Sequence, residues 1–274
     1  MKNEYFILNN GLKIPKVGFG TWQIPEGEVC YESVKIALDN GYIHIDTASV
    51  YGNENSVGLA VRDSKIPREK LFITTKVPAT IKNYEDTINI IKQSLELLNL
   101  EYIDLLLIHN ARPWGETDPT KNYYKENIAV WNAMIEFYRS GHVKAIGVSN
   151  FKVHDLDNLI ANTNVVPSVN QIKYFIGDTQ DDIVKYCKKH NILVEAYSPL
   201  ATGKLLDNPE ITKIAKKYNK TLPQIAIKFC LQNDVLPLPK SVTEKYIIEN
   251  IDLDFTISKE DMDYLNNLKI EFKK

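Results

Sequence analysis

The chain has 274 residues, of which 44% are hydrophobic and 25% are charged, and 33 basic against 35 acidic residues leave a formal charge of -2. This composition is average for globular proteins and excludes a disordered, fibrous or membrane-spanning chain. Because the chain has no surplus of positive charge to neutralise phosphates, we expect no nucleic-acid partner.

The start of the chain and its cysteines indicate a compartment. The segment MKNEYFILNN contains too short an apolar stretch for a signal peptide or membrane anchor, so we expect no membrane partner. Three widely separated cysteines lie in apolar helical patterns: Cys30, Cys187 and Cys230. An odd number of such thiols is typical of buried, reduced cysteines. These features predict a cytoplasmic protein.

The elements begin with a predicted β-hairpin, formed by residues 5–8 and 13–15 around a turn at Asn10 and Gly11. Short apolar segments then alternate with amphipathic helices to the end of the chain. The predicted strands are residues 17–20, 43–46, 71–76, 102–109, 145–149, 168–171, 192–197 and 235–239. Helical patterns between them cover residues 33–40, 84–98, 127–140 and 178–190. Gly41 and Gly141 follow two of these helices as expected C-terminal caps.

Eight strands joined by crossovers predict an α/β fold. We expect residues 1–274 to form a single domain, a (β/α)8 TIM barrel with an N-terminal β-hairpin and two extra helices at 209–218 and 258–268. Residues 110–121 form a long loop after the fourth strand, and such loops commonly shape a substrate-binding mouth.

Polar residues follow nearly every predicted strand. In barrels, chemistry gathers at the carboxyl ends of the strands, so these side chains are expected to converge. They are Thr21, Trp22, Asp46, Lys76, His109, Ser149, Asn150, Gln171, Tyr197, Ser198, Lys240 and Ser241.

Four of the polar residues suggest proton chemistry on a carbonyl. Asp46 and Lys76 end neighbouring strands and are expected to pair inside a site of low dielectric constant. Tyr51 lies five residues after Asp46. A nearby ammonium should lower the pKa of its phenol and make it a better acid. A neutral His109 could hydrogen-bond the same substrate oxygen.

Histidines, glycines and Lys76 each allow another interpretation. The five histidines lack metal-ligand spacing, so no metal is expected. Gly18 and Gly20 begin like a dinucleotide fingerprint, but Gln23 stands where the third glycine belongs, so we interpret these glycines as tight turns at the barrel mouth. An aldolase or isomerase that uses Lys76 as a Schiff-base amine is one alternative function, although pairing with Asp46 would keep that amine protonated.

Several longer motifs resemble the aldo-keto reductase family. Residues 41–48 (GYIHIDTA) and 54–58 (ENSVG) are similar to its first signature, with Ile43 in place of the usual Arg. Residues 105–109, 147–151 and 238–242 resemble the later signatures, and the likeness runs from about Tyr5 to Leu268. Within the family, the sequence is similar to the bacterial 2,5-diketogluconate, glyoxal and aldose reductase-like members.

The resemblance implies a barrel that binds NADPH without a Rossmann domain and reduces aldehydes or ketones by hydride transfer from the nicotinamide. Asp46, Tyr51, Lys76 and His109 match the family's catalytic tetrad. Tyr51 would be the general acid, Lys76 would lower the pKa of Tyr51, Asp46 would hold Lys76, and His109 would orient the carbonyl.

The resemblance also implies a set of cofactor contacts. Ser149, Asn150 and Gln171 would bind the carboxamide of the nicotinamide, and Tyr197 would stack on the nicotinamide ring. Residues 198–205 would contact the pyrophosphate, and residues 240–250 would contact the adenosine. The matched residues are Thr21, Trp22, Ser149, Asn150, Gln171, Tyr197, Ser198, Leu200, Gly203, Leu205, Lys240, Ser241, Val242, Glu249 and Asn250. Tyr246 replaces an Arg that many members use for the 2′-phosphate, so NADH use is possible beside NADPH.

The expected substrate contacts depart from the family pattern. Pro78 and Asn110 stand where many relatives carry aromatic residues, so the pocket should favour small aldehydes, dicarbonyls or sugar-like carbonyls. The expected substrate residues are Trp22, Tyr51, His109, Asn110 and Trp114. The family also includes ion-channel β subunits and lens crystallins, so a catalytically weak cofactor-sensing or structural protein is the alternative function. No assembly segment is evident, and a monomer is expected.

Overall fold

The computed structural model describes residues 4–118 and 120–271. Strands β1 (Tyr5–Ile7) and β2 (Lys13–Pro15) form the expected antiparallel hairpin. Ile14 of β2 and Leu8, just after β1, pack with apolar side chains from the inside of the main sheet. The hairpin therefore closes one end of the barrel and leaves the other end for a binding site.

Eight parallel strands form the main sheet, and each pairs with the next one along the chain. They are β3 (Phe19–Gly20), β4 (His44–Asp46), β5 (Phe72–Val77), β6 (Ile103–Ile108), β7 (Val143–Ser149), β8 (Val169–Lys173), β9 (Leu193–Tyr197) and β10 (Leu236–Leu238). Two backbone hydrogen bonds link the first and last strands: Gly18 N donates to Pro237 O at 3.1 Å, and Gly20 N to Pro239 O at 3.0 Å. The predicted eight-stranded barrel is confirmed.

Gly18 and Gly20 serve this closure, and the prediction that they form tight turns is wrong. Neither has a left-handed φ. A Cβ on Gly18 would lie 2.5 Å from Leu238 Cδ2 and 2.6 Å from His44 Nδ1, and one on Gly20 would lie 3.3 Å from Leu238 O. The glycines let β3 approach β10 closely, which is a requirement of space and not of backbone conformation.

Ten α-helices occur in the described residues, which matches one helix per strand plus two extra helices. They are α1 (Glu28–Asp39), α2 (Glu54–Asp63), α3 (Tyr84–Leu98), α4 (Tyr124–Arg139), α5 (Val153–Asn162), α6 (Asp181–Lys189), α7 (Pro209–Lys217), α8 (Leu222–Gln232), α9 (Glu244–Ile251) and α10 (Lys259–Asn267). Helices α7 and α10 correspond to the two extra helices. Gly41 and Gly141 adopt φ values of 97° and 83° after α1 and α4, as helix-ending glycines do.

Helix α1 begins five residues before the predicted start at Ser33. Gly27 stands at its N-cap with φ 99°, and the backbone N of Gly27 donates to Ser56 Oγ at 2.9 Å. This hydrogen bond to α2 gives the Gly27 N–H an acceptor that the local sequence pattern does not predict. The start of α1 is thus determined by a tertiary contact.

The core has two layers. Apolar side chains inside the barrel form one cluster, and a larger cluster lies between the strands and the helices. Cys30, Cys187 and Cys230 are free and buried, as predicted. In the described ranges, no helix has the length and apolar character needed to cross a membrane.

Candidate active site

A cavity of about 930 Å³ opens at the carboxyl ends of the strands. This volume lies at the upper end for ligand pockets. Its lining contains most of the polar residues predicted to converge there. These are Trp22, Asp46, Tyr51, His109, Ser149, Asn150, Gln171, Tyr197, Ser198, Lys240 and Ser241.

Lys76 and Asp46 form the predicted ion pair beneath the cavity. Lys76 Nζ donates to Asp46 Oδ1 at 2.6 Å and to Thr47 O at 2.8 Å, and the Lys76 side chain is fully buried. Burial alone would lower the pKa of Lys76, but nearby groups, above all the Asp46 carboxylate, favour the charged form, and that pKa lies above its ordinary value. Lys76 is therefore an ammonium, which disfavours the Schiff-base alternative.

Tyr51 lies beside this ammonium, at the end of a short 3₁₀ turn (Ser49–Tyr51) after β4. Ser49 Oγ donates to Lys76 O at 3.0 Å, which ties the turn to β5. Lys76 Nζ lies 3.5 Å from Tyr51 Oη. Two neighbouring strands and one short turn thus bring the three side chains together.

The pKa of Tyr51 differs in direction from the prediction. Burial raises the pKa of the phenol, the charge and hydrogen bond of Lys76 lower it, and the Asp46 carboxylate raises it. The result lies above the ordinary value, because removal from water outweighs the ammonium. The phenol therefore keeps its proton at neutral pH, and Lys76 acts by stabilising the phenolate that forms after the proton leaves.

His109 follows β6 and presents its ring edge to Tyr51, with ring centroids 5.5 Å apart. Burial and the Lys76 charge lower the pKa of His109 to about 2, so the imidazole is neutral, as expected. Asn150 Nδ2 donates to His109 O at 3.1 Å. His109 Nδ1 is buried and has no partner among the described residues.

Two tryptophans flank the mouth of the cavity. Trp114, on the long loop, packs across His109 with ring centroids 4.8 Å apart, and about half of Trp114 is exposed. Trp22 lines the opposite part and is also about half exposed. Asn110 is outside the lining: its Oδ1 accepts from Arg112 N at 3.3 Å, and its carbonyl accepts from Lys82 Nζ at 3.1 Å. The structure thus assigns Asn110 to the base of the loop.

Amide and hydroxyl groups form the floor beside the tetrad. Ser149 Oγ donates to Gln171 O at 2.9 Å, and Tyr197 Oη donates to Asn150 Oδ1 at 2.8 Å. Gln171 Nε2 donates to Asp46 Oδ2 and to Glu195 Oε2, both at 2.8 Å. Glu195 was not predicted from the sequence. The available signal was an acidic residue two positions before Tyr197 in an apolar strand, and hence on the same inward face.

The segment after β9 has unusual backbone geometry along the cavity. Ser198, Ala201 and Thr202 adopt φ values of 51°, 51° and 55°, and Gly203 adopts 88°. Left-handed non-glycine residues carry strain and concentrate at functional sites. Leu205, a predicted contact, is fully buried in the core, whereas Leu206 lines the cavity. In this structure, the Leu205 side chain therefore has no access to the cavity.

The far end of the cavity is formed by residues near β10. Lys240, Ser241, Tyr246 and Asn250 line it, together with Pro223 of α8. Besides Leu205, three predicted cofactor residues are outside the lining: Thr21, Val242 and Glu249. Thr21 is buried and its Oγ1 donates to Asp46 O at 3.0 Å; Val242 is about half exposed; Glu249 Oε1 lies 3.7 Å from Lys245 Nζ.

The donor set suits an extended dinucleotide. Amides lie near the tetrad, strained backbone and small residues lie in the middle, and a cation with a hydroxyl lies at the far end. Within the ranges 4–118 and 120–271, no three His, Cys, Asp or Glu side chains are grouped to hold a metal ion. The fold and site thus define a barrel oxidoreductase with a nicotinamide-dinucleotide cleft.

Comparisons with known proteins agree with this class. The family model described as "Aldo/keto reductase family" matches residues 16–270. The glyoxal reductase of Bacillus subtilis is 44% identical over 262 residues, which cover 95% of this chain and 91% of that protein. The chain belongs to the aldo/keto reductase family and is an NAD(P)H-dependent oxidoreductase.

Two solved structures are similar along nearly their whole length. An aldo/keto reductase from Brucella melitensis superposes with a TM-score of 0.89 at 39% identity, covering 96% of this chain and 98% of that one. An aldo-keto reductase of Bombyx mori in complex with NADP gives a TM-score of 0.87 at 31% identity, covering 97% and 92%. The expectation from sequence motifs is confirmed for both family and fold.

Proposed function

We propose that the protein reduces small aldehydes, dicarbonyls and sugar-like carbonyls to alcohols, with NADPH as reductant and Tyr51 as general acid. The observation that carries this proposal is the position of Lys76 Nζ, which contacts Asp46 and lies 3.5 Å from Tyr51 Oη. NADPH, when bound, would supply a hydride to the carbonyl carbon. The protein's own groups would manage the charge on the oxygen.

The proton transfer follows from the geometry of the tetrad. As the carbonyl oxygen gains negative charge, Tyr51 Oη would donate its proton, and Lys76 would stabilise the resulting phenolate. Asp46 would hold the ammonium in place. Neutral His109 would donate a hydrogen bond to the same oxygen. These four roles also argue against a purely structural or sensing protein, because Asp46, Tyr51 and His109 line one cavity and Lys76 contacts two of them from below.

The neutral state of His109 leads to a pH prediction. Because the pKa of His109 is lowered to about 2, its ring does not titrate in the working range. We expect kcat/KM for carbonyl reduction to show no inflection near the ordinary imidazole pKa of about 6.5. The measurement is a pH profile of kcat/KM. An inflection there that is absent in His109→Gln would contradict the assignment.

The lining of the mouth supports small substrates. Trp22 and Trp114 contribute indole rings to this lining, while Asn150 and Gln171 add polar surface. The similarity to the Bacillus subtilis glyoxal reductase also supports dicarbonyls. A steady-state screen should give higher kcat/KM for methylglyoxal, glyceraldehyde or xylose than for large hydrophobic ketones. Higher kcat/KM for the ketones would overturn this substrate class.

The cofactor contacts are proposed from the motif match and the lining. Ser149, Asn150 and Gln171 would hold the carboxamide, and Tyr197 would stack on the ring. Residues 198–203 would follow the pyrophosphate. The exposed Lys240 and the half-buried Ser241, helped by Thr243, would favour NADPH, while Tyr246 in place of an Arg would leave measurable use of NADH.

Lys240 gives a direct test of cofactor preference. We expect wild type to use NADPH with higher kcat/KM than NADH, and Lys240→Ala to lower kcat/KM for NADPH about tenfold, because one charge-assisted contact to the 2′-phosphate is lost. Its kcat/KM for NADH should change little. Steady-state kinetics with both cofactors decide the point. Higher wild-type kcat/KM for NADH would contradict the assignment.

Three further properties are part of the proposal. The continuous barrel supports one domain over residues 1–274. Three buried free thiols support a reducing, cytoplasmic compartment. A monomer is proposed, and sizing chromatography tests it.

Borohydride trapping with a carbonyl ligand tests the Schiff-base alternative, and we expect no adduct on Lys76.

A further inference from the structure

Glu195 is a fully buried acid directly beneath the proposed catalytic group. It lies on β9, two residues before Tyr197, and has no exposed surface. Its Oε2 accepts from Gln171 Nε2 at 2.8 Å, and its Oε1 has no partner among the described residues. The mechanism proposed above assigns no role to this carboxyl.

The charges around Glu195 do not balance if both buried carboxyls are ionised. The charged groups that act on it are Asp46 and Lys76. In strand register, its neighbours are Gln171 on β8 and Leu236 on β10, and neither is titratable. Lys76 Nζ donates to Asp46, to Thr47 O and to Tyr51, so its hydrogen bonds are committed elsewhere. A second, unpaired anion at this depth would be strongly unfavourable.

Protonation of one carboxyl removes this imbalance, and Glu195 is the better candidate. Asp46 directly contacts the ammonium, whereas Glu195 contacts only an amide. Burial and the Asp46 charge raise the pKa of Glu195 to about 8, against the lowering effects of Gln171 and Lys76. A proton on Oε1 leaves Oε2 free to accept from Gln171.

Gln171 connects this acid to the cofactor cleft. Both of its amide hydrogens are directed at carboxyl oxygens, on Asp46 and on Glu195. Because the ionised Asp46 can only accept, the amide nitrogen must face this pair of carboxyls and the amide oxygen must face away. Gln171 lines the cavity, so its oxygen is oriented as an acceptor for a donor bound there. Without Glu195, one of the two restraints on the amide is lost.

We propose that Glu195 is a positioning residue that holds a proton in the working enzyme, fixes the amide of Gln171 toward the nicotinamide end of the cleft, and limits reduction at alkaline pH when it ionises. The proposal rests on the proposed function. Ionised Glu195 would place a second negative charge near Asp46, weaken the effect of Lys76 on Tyr51 and make the phenol a poorer acid.

The first test compares pH profiles of kcat in Glu195→Gln and wild type. Gln is isosteric and cannot ionise, so we expect kcat within about twofold of wild type near pH 7. With a pKa of about 8 for Glu195, the ratio of kcat at about pH 9 to that at pH 7 should be about tenfold higher in the variant. Superimposable profiles would overturn the proposal.

A matched control is Glu54→Gln. Glu54 is also buried with a raised pKa, but its Oε1 accepts from Thr75 Oγ1 at 2.6 Å, on the outer side of β5. It does not contact Gln171. We expect this variant to keep the wild-type pH profile. If Glu54→Gln shifted the pH profile as Glu195→Gln does, loss of any buried carboxyl would have the same effect. That result would refute a specific role for Glu195.

Two measurements do not depend on catalysis. Infrared difference spectra between wild type and Glu195→Gln should show a protonated-carboxyl band at neutral pH that fades near about pH 8. NADPH binding, followed by fluorescence, should be unchanged in Glu195→Gln and about tenfold weaker in Glu195→Leu, which cannot accept from Gln171. A carboxylate at neutral pH, or unchanged NADPH affinity in Glu195→Leu, would overturn the proposal.

Stability provides a further test. The folded pKa of Glu195 lies above its ordinary value of 4.5. Between these values the native state therefore binds more protons than the unfolded state, and wild type should lose stability relative to Glu195→Gln as pH rises from about 5 to about 8. A pH-independent difference in Tm would contradict this. If no carbonyl is reduced by wild type, the proposed function fails, while the spectra and binding data still decide the state of Glu195.

Discussion

Tyr51→Phe should lower kcat for carbonyl reduction by about 10²–10⁴-fold, because it removes the proton donor and leaves the aromatic ring. Lys76 and His109 keep their other contacts, so the affinity for NADPH should stay within about twofold of wild type. The measurement pairs steady-state kcat with a fluorescence titration of NADPH. Loss of activity together with loss of binding would indicate a disrupted cleft and not a missing acid.

Tyr42→Phe is the matched control for this prediction. Tyr42 is fully buried, its Oη donates to Ile247 O at 3.2 Å, and it does not line the cavity. Removing that hydroxyl should lower the free energy of unfolding by about 1 kcal/mol and leave kcat nearly unchanged. Equal turnover by Tyr51→Phe and wild type would refute the acid assignment.

Lys76→Met should abolish reduction and lower the free energy of unfolding by about 3–5 kcal/mol. The Lys76 side chain is fully buried against Asp46, so its removal leaves a carboxylate with no cation in a site of low dielectric constant. The lost ammonium also stops stabilising a phenolate on Tyr51. Urea unfolding measures the first effect, and steady-state kcat measures the second.

The double variant Asp46→Asn with Lys76→Met separates stability from catalysis. It removes both charges, so most of the lost stability should return. Reduction should remain absent because the ammonium is still missing. Recovery of activity in the double variant would contradict the role of Lys76. If Lys76→Met alone were as stable as wild type, the buried ion pair with Asp46 would be contradicted.

The fold could be predicted from sequence because each strand and its crossover leave a local pattern. Residues 84–98 coincide with α3, whose N-cap Asn83 accepts from Asp86 N. The boundaries that shifted depend on tertiary contacts: Ser56 determines the start of α1, and space between β3 and β10 requires Gly18 and Gly20. Local patterns carry no information on such distant neighbours.

The site was predictable to the extent that strand ends determine it. Asp46, Lys76 and His109 lie at the carboxyl ends of consecutive strands, so chain order alone brings them together. Leu205 and Asn110 are outside the cavity lining, which sequence could not show because side-chain direction in an irregular turn or loop depends on φ and ψ values that no periodicity reports. The net pKa of Tyr51 depended on the balance of burial and charge, which requires coordinates.

The assignment of Tyr51 as general acid depends most on the effect of the Lys76 ammonium on the pKa of the Tyr51 phenol. The direct measurement is an NMR titration of the Tyr51 Cζ resonance in protein labelled with ¹³C-tyrosine, for wild type and the Asp46→Asn, Lys76→Met double variant. Because Lys76 lowers the pKa of Tyr51 more than Asp46 raises it, the account predicts a higher pKa in the double variant. An equal or lower pKa in the double variant would contradict it.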